Sequence, residues 1–191
     1  MKIICLKGGL GNQMFEYCRY KMLKDKGEKV FIYYDKRRLK QHKNILISDV
    51  FNIDMPKDYL WVKMVVWYIK LLRTFHIAPS LYDDEKYENS VILIDDYCQD
   101  EEFIQEAQKY FSFKEFQLNE KSKYIKEKIE SEASPISVHI RRGDYLLSEN
   151  INNFGICSLK YYQNAIEHIN HMIPNATYFI FSDDIKWCKE N

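Results

Sequence analysis

Pro-Ile-Ser-Val-His-Ile-Arg-Arg-Gly-Asp-Tyr, residues 135–145, decides how the rest of the chain is read. Ile136, Val138 and Ile140 alternate with Ser137, His139 and Arg141, after a proline and before Gly143. That alternation predicts a short strand running into a tight turn. Its charged residues then sit at the strand's carboxyl end, where ligands bind in open α/β sheets. Two guanidiniums beside a histidine are costly to gather unless an anion or a carboxylate answers them, and phosphate fits them well. Two plainer readings stay open. Asp144 can neutralise one arginine from within the turn. Arg142-Gly143-Asp144 is also an adhesion tripeptide, although here it is joined to a hydrophobic strand.

The chain has 191 residues, enough for one domain with a full core or for one domain and part of a second. Its 28 Lys and Arg balance 28 Asp and Glu, so no global basic field draws it to nucleic acid, and any anion site must be local. The 15 Tyr and 11 Phe suit a packed core and argue against disorder. Cys5, Cys18, Cys98, Cys157 and Cys188 are odd in number and contain no Cys-x-x-Cys pair. That predicts reduced thiols in a cytoplasmic setting, with neither a disulfide frame nor a zinc site. The start, Met1-Lys2 and then a short apolar strand, does not read as a secretory signal. Residues 59–72 are the most apolar run, but they are interrupted by Lys63 and Lys70 and are too short to span a membrane. The expectation is a mostly buried helix with a wet strip along those lysines; a peripheral helix on the inner face of a membrane is the second reading.

In chain order, residues 2–6 predict a strand ending in Lys7-Gly8-Gly9-Leu10-Gly11-Asn12-Gln13, and residues 14–26 a helix closed by Gly27. Glycines let backbone amides approach a ligand, and the helix amino end behind them favours negative charge. The loop is not the dinucleotide fingerprint, since Met14 stands where the third glycine belongs, and no Gly-Lys-Ser/Thr makes it a Walker loop. It equally fits a simple tight connection. Residues 29–34 predict a second strand and complete a βαβ unit. Residues 36–43 read as a basic solvated face or loop, 91–94 as a strand ending in Asp95-Asp96-Tyr97, and 101–111 as a helix. Asn119 caps a weakly amphipathic helix through 132, and Ser134-Pro135 marks a boundary, giving domains 1–133 and 134–191. Ser158 caps a helix over 159–171, which carries His168 and His171 three apart but no further metal ligand nearby. Residues 177–181 predict a strand ending in Ser182-Asp183-Asp184, with a helix beginning near Trp187. This is the start of a second Rossmann-like unit.

Three motifs, Gly8-Gly9-Leu10-Gly11-Asn12-Gln13-Met14-Phe15, His139-Ile140-Arg141-Arg142-Gly143-Asp144-Tyr145 and Phe181-Ser182-Asp183-Asp184 with Trp187, stand in the order and spacing of one family. In them the chain resembles the α-1,2-fucosyltransferases, glycosyltransferase family 11, along essentially its whole length. The resemblance implies a GT-B-like fold of two Rossmann-like α/β domains, 1–133 on the acceptor side with the glycine loop and 134–191 the start of the donor-nucleotide-binding domain, incomplete because members of the family run longer. It implies GDP-fucose as donor and inverting transfer of fucose to the 2-hydroxyl of a galactose-terminated glycan. Arg141 would meet the β-phosphate of GDP and stabilise the departing diphosphate. Arg142 would brace the turn or pair with Asp144, and His139 and Asp183, with Ser182 beside it, would contact guanosine. Gly9, Gly11 and Asn12 would offer amides to the pyrophosphate or fucose. No Asp-x-Asp tripeptide occurs, so arginine and helix amino ends are expected in place of a metal ion and no cofactor is expected. Glu149 lies close enough along the chain to be weighed as general base, against a solvated loop carboxylate. A non-catalytic GDP-sugar-binding fragment is the competing class, and a fucosyltransferase of another linkage the other alternative.

Overall fold

β1 (Lys2–Leu6) is buried at every residue, as befits a central parallel strand covered on both faces. Its neighbours are β2 (Val30–Tyr34) and β3 (Leu93–Ile94), both parallel to it, in the order β2-β1-β3. In this computed structural model residues 1–82, 92–147 and 155–191 are described. The chain divides into two compact units, Met1–Glu115 and Phe116–Asn191. The architecture is mixed α/β with parallel sheets.

In the first unit, helices cover both faces of the sheet. Ile4 packs with Cys18 and Met22 of α1 (Leu10–Asp25), while Ile3 packs with Val62, Val66 and Ile69 from the far side. A third cluster, Leu6, Tyr17, Ile32, Ile47 and Phe51, closes the carboxyl end of the strands. Burying each such aliphatic side chain contributes about 1.5–3 kcal/mol.

Of the two readings open for residues 36–43, the solvated face fits the structure: α2 (Lys36–Gln41) forms because Asp35 Oδ1 accepts the Arg38 N–H at 3.2 Å, and only Leu39 of it is buried. A further helical turn, α3 (Ile47–Val50), follows it. α4 (Leu60–Thr74) buries Val62, Val66 and Ile69 but exposes Leu60, Met64, Trp67, Tyr68 and Leu71. The helix is therefore not mostly buried, because only one of its faces meets the sheet. Lys63 and Lys70 sit in ion pairs with Asp58 at 2.6 Å and Asp35 at 3.3 Å. Among the described residues no helix is long and apolar enough to cross a membrane. The strand expected over 91–94 is described at Leu93–Ile94; Val91 lies outside the described residues. α5 (Glu101–Tyr110) completes the unit and brings Phe103 to the core.

The second unit holds α6 (Glu120–Ser131), β4 (Pro135–Ile140), α7 (Leu159–Met172), β5 (Thr177–Ser182) and α8 (Ile185–Glu190). The expected caps are in place: Asn119 accepts from Ser122 N at 2.9 Å and Ser158 from Tyr161 N at 3.2 Å. α6 falls in this unit, whereas the sequence boundary after 133 left it in the first. Thr177 Oγ1 donates to Glu132 Oε2 at 2.8 Å, and Thr177 N to Ser134 O at 2.9 Å, so the end of that helix is tied to β5. The Tyr178 hydroxyl donates to Asn170 Oδ1 at 2.8 Å and joins β5 to α7.

Candidate active site

β4 and β5 run parallel in the register Pro135↔Thr177 through Ile140↔Ser182. Both strands therefore end side by side, and the residues that follow, Arg141-Arg142-Gly143-Asp144 and Asp183-Asp184, meet at one edge. Asp183 Oδ1 accepts the Arg142 N–H at 2.9 Å, and Arg141 Nε lies 3.4 Å from Asp183 Oδ2. These bonds hold the Asp183 carboxyl below its usual pKa: the Arg142 N–H contributes most, partial burial opposes it, and the Gly143 N–H and Arg141 charge add to the fall. Ser182 Oγ accepts the Asp184 N–H at 2.9 Å and steadies the same corner.

The two guanidiniums are held differently. Arg141 grips Asp144 as a fork, with Nε to Oδ1 at 3.0 Å and Nη2 to Oδ2 at 2.9 Å. Asp144's hydrogen bonds push the Arg141 pKa further up, so its charge is permanent. Arg142 instead donates to Asp184 Oδ2 at 3.3 Å and stacks on Trp187, with its guanidinium carbon 4.0 Å from the ring centroid. The partner of Asp144 is thus Arg141, which corrects the pairing expected for Arg142; the bracing part of that expectation fits Arg142 on Trp187. Arg141 is 47% exposed and Arg142 18%, so Arg141 is the arginine that solvent and ligand can reach. His139 is exposed on β4, opposite Phe181 in the register. Glu149 lies outside the described residues.

Gly9, Gly11 and Asn12 belong to the first unit, at the carboxyl end of β1. α1 begins at Leu10, earlier than expected, so Gly11 and Asn12 lie in its first turn and Gly9 is its N-cap. The glycine that the turn requires is Gly8, with φ +74°. A Cβ there would lie 2.9 Å from Asn12 Nδ2 and 3.1 Å from the Tyr97 ring. Asn12 Oδ1 accepts from Gln99 Nε2 at 2.8 Å.

Behind this corner sits a polar support that the sequence reading did not single out. Gln13 is fully buried: its amide donates to Gly8 O at 3.1 Å and Ile45 O at 2.8 Å and accepts from Ile47 N at 3.2 Å. Glu16 is fully buried and takes the Lys7 N–H at 2.9 Å. Lys7 Nζ meets Asp95 Oδ1 at 2.7 Å, and Arg38 Nη1 meets the same atom at 2.9 Å. Burial alone would raise the Asp95 pKa, but Lys7, followed by Arg38 and Lys70, outweighs it and brings it down. The signal available in the sequence was Gln13 and Glu16 sharing a helix face with the apolar Tyr17 and Tyr20.

Glu16 has a testable consequence. Burial, only partly offset by the Lys7 N–H, pushes its pKa up to about 9 from 4.5. Between those values the folded chain holds the proton that the unfolded chain has lost, so its contribution to stability falls as pH rises through that window. Glu16→Gln keeps an acceptor for the Lys7 N–H and has no proton to lose. Denaturant unfolding should find it level with the unaltered chain near pH 4 and ahead by several kcal/mol, at most about 5, at pH 8. Parallel pH curves for the two proteins would refute the buried proton.

Among the described residues no three His, Cys, Asp or Glu side chains gather as metal ligands. The model of one family, described as Glycosyl transferase family 11, matches residues 1–191. An alpha-1,2-colitosyltransferase of Escherichia coli is 29% identical over 207 residues, covering 97% of this chain and 69% of that protein. The O-antigen biosynthesis glycosyltransferase WbnK of Escherichia coli is 26% identical over 223 residues, covering 97% of this chain and 73% of its own length. No solved structure matches the chain. Matched from its first residue to its last, the chain belongs to glycosyl transferase family 11 and is a glycosyltransferase.

Proposed function

We propose that the chain is an α-1,2-fucosyltransferase: it binds GDP-fucose and passes the sugar, with inversion, to the 2-hydroxyl of a galactose-terminated glycan within a GT-B-like fold. The observation that carries the proposal is the exposed guanidinium of Arg141 at the joint end of two parallel strands, backed by Asp183. As the bond between sugar and diphosphate breaks, GDP gains negative charge. A guanidinium already fixed by the turn stabilises that charge more than it stabilises the bound donor, which is the condition for faster chemistry. The exposed fork to Asp144 is a weak pair of the kind worth about 0–1 kcal/mol, so the guanidinium can turn to a phosphate at little cost. Gly9, Gly11 and Asn12, at the amino end of α1 in the first unit, are assigned from the family motif alone as amide donors to the pyrophosphate or fucose. His139 and Ser182 flank the nucleotide in this reading.

No metal ion is invoked. In support of that, Asp144, Asp183 and Asp184 are each engaged by a guanidinium or a backbone N–H, which leaves them poor ligands for a divalent ion. A second reading, colitose in place of fucose with the same linkage, is favoured by the colitosyltransferase relative.

Calorimetric titration with GDP, GDP-fucose, GDP-mannose and UDP, alongside a transfer assay, tests the proposal. GDP and GDP-fucose should bind alike, and UDP at least about tenfold more weakly, the margin that one lost charge-assisted hydrogen bond produces. UDP binding as tightly as GDP would overturn the donor assignment.

A further inference from the structure

α4 carries two apolar stripes, and the fold uses one of them. Val62, Val66 and Ile69 face the sheet and pack with Ile3 and Leu93. Leu60, Met64, Trp67, Leu71 and Phe75 recur at the same spacing of three or four residues on the opposite side, with Tyr68 beside them, and all six are exposed. Leu60 is 72% exposed and Trp67 68%. A lone exposed leucine is ordinary, but six large apolar side chains in one unbroken stripe mark a surface that meets something other than water. Aromatic packing extends the patch at the helix's amino end: the Trp61 ring meets Phe31 edge-on at 4.6 Å, and Tyr59 lies 6.2 Å from it.

The surroundings of the stripe are positive although the chain as a whole is neutral. Residues 57–82 hold Lys57, Lys63, Lys70 and Arg73 against one carboxylate, Asp58, and no acid lies on the helix itself. Lys63 pairs with Asp58 at 2.6 Å. Along the flank nearest the strand ends, Asp35 and Asp95 face four cations between them, Lys7, Arg38, Lys70 and Arg73, so the surplus stays positive. An apolar stripe holding Trp and Tyr and flanked by cations is complementary to anionic headgroups over hydrocarbon: the stripe enters the boundary, the aromatic rings sit at headgroup level and the cations meet phosphates. At 15 residues α4 is about 22 Å long, short of the hydrocarbon core's about 30 Å, so it can lie in such a surface but not cross it. A second copy of the chain fits the face less well. Isologous pairing would set the cations of α4 against their own copies, with no acid on either helix to answer them. One face of a helix this long and about 10 Å across also projects only about 220 Å², against about 800 Å² per partner in a stable dimer. We propose that α4 holds the chain against an anionic lipid surface through this stripe. The docking is independent of the donor assigned to Arg141.

Co-sedimentation of the chain with vesicles of phosphatidylcholine alone, and of phosphatidylcholine with about one-third phosphatidylglycerol, tests the docking. Partition into the anionic vesicles should exceed that into the neutral ones by at least about tenfold, and the margin should close near 1 M salt, where the screening length has dropped to about 3 Å. Met64→Gln combined with Trp67→Gln should weaken partition into the anionic vesicles by at least about tenfold, since two side chains no longer leave water for hydrocarbon. Both positions are exposed, so the thermal melt should not move. Should that double variant fail to fold, Leu60→Gln, at the first residue of the helix, should show a loss of at least about tenfold by itself. Lys57→Gln combined with Lys63→Gln should cut the margin for anionic lipid by about tenfold and leave partition into neutral vesicles as it was. No sedimentation with anionic vesicles, equal partition into both kinds, or an unchanged margin in either double variant overturns the proposal. A dimer in sedimentation velocity that Met64→Gln with Trp67→Gln dissolves also overturns it and gives the face to a second copy.

Discussion

Arg141→Ala should slow sugar transfer by about 100- to 1,000-fold, the usual cost of removing one donor aimed at developing negative charge, while the chain still unfolds at its ordinary temperature. The two halves of that expectation have different causes. Arg141 and its partner Asp144 are 47% and 49% exposed, and exposed pairs contribute little to stability, so the fold does not depend on the fork. In the proposed reaction the transition state does depend on it, because a leaving diphosphate would find no other permanent charge on that turn as accessible: Arg142 is 18% exposed and stacked on Trp187. Arg141→Lys separates charge from geometry. It keeps a cation but loses the planar fork, and it should recover about tenfold of the loss. Single-turnover release of GDP measures the rate, and a thermal melt followed by circular dichroism checks the fold. Near-normal release from Arg141→Ala with the melt unchanged would falsify the leaving-group role.

How much of this was legible beforehand follows from what periodicity can carry. β1, β2, β4 and β5 were readable because a strand's apolar run or alternation is written in its own residues. The placement of Arg141 beside Asp183 was readable only as two strand ends, since their adjacency depends on the parallel register and that register is a tertiary fact. α2 was not legible. Only Leu39 of its residues is buried, so it has no apolar stripe, and its start depends on the Asp35 cap. The face of α4 was misjudged for the opposite reason. Its residues are apolar almost all round, and such a pattern cannot say which face meets a partner. In the glycine motif, the sequence singled out Gly9 and Gly11, yet the positive φ belongs to Gly8 and the buried clamp to Gln13. A motif marks a region where backbone must come close; which residue bends is settled by contacts to Asn12, Tyr97 and Ile45, which come from elsewhere in the chain.

Gly143→Ala should slow transfer to within about tenfold of the loss caused by Arg141→Ala, although the added methyl meets no ligand. A Cβ at Gly143 would lie 2.8 Å from Asp183 Oδ2, too close for the carboxylate to stay where it is, and 3.2 Å from its Cγ. Relief by moving the carboxylate breaks the 2.9 Å bond from the Arg142 N–H, which is the bond that aligns the turn under Arg141. A hydrogen bond to a charged acceptor is worth about 1.5–3 kcal/mol, so transfer should fall by about 10- to 100-fold. Asp183→Ala removes the obstacle as well as the bond, and this makes the pair a test of mechanism. If Asp183 acts by holding the turn, Gly143→Ala should change the rate of an Asp183→Ala chain by less than about threefold, because the group it would displace is gone. The two single losses would then fail to multiply. If Asp183 instead acts by contacting guanine, Asp183→Ala should abolish the preference for GDP over UDP and leave Gly143→Ala free to add its own loss. Rates for the four chains, with GDP and UDP titrations on each, decide between holding the turn and reading the base.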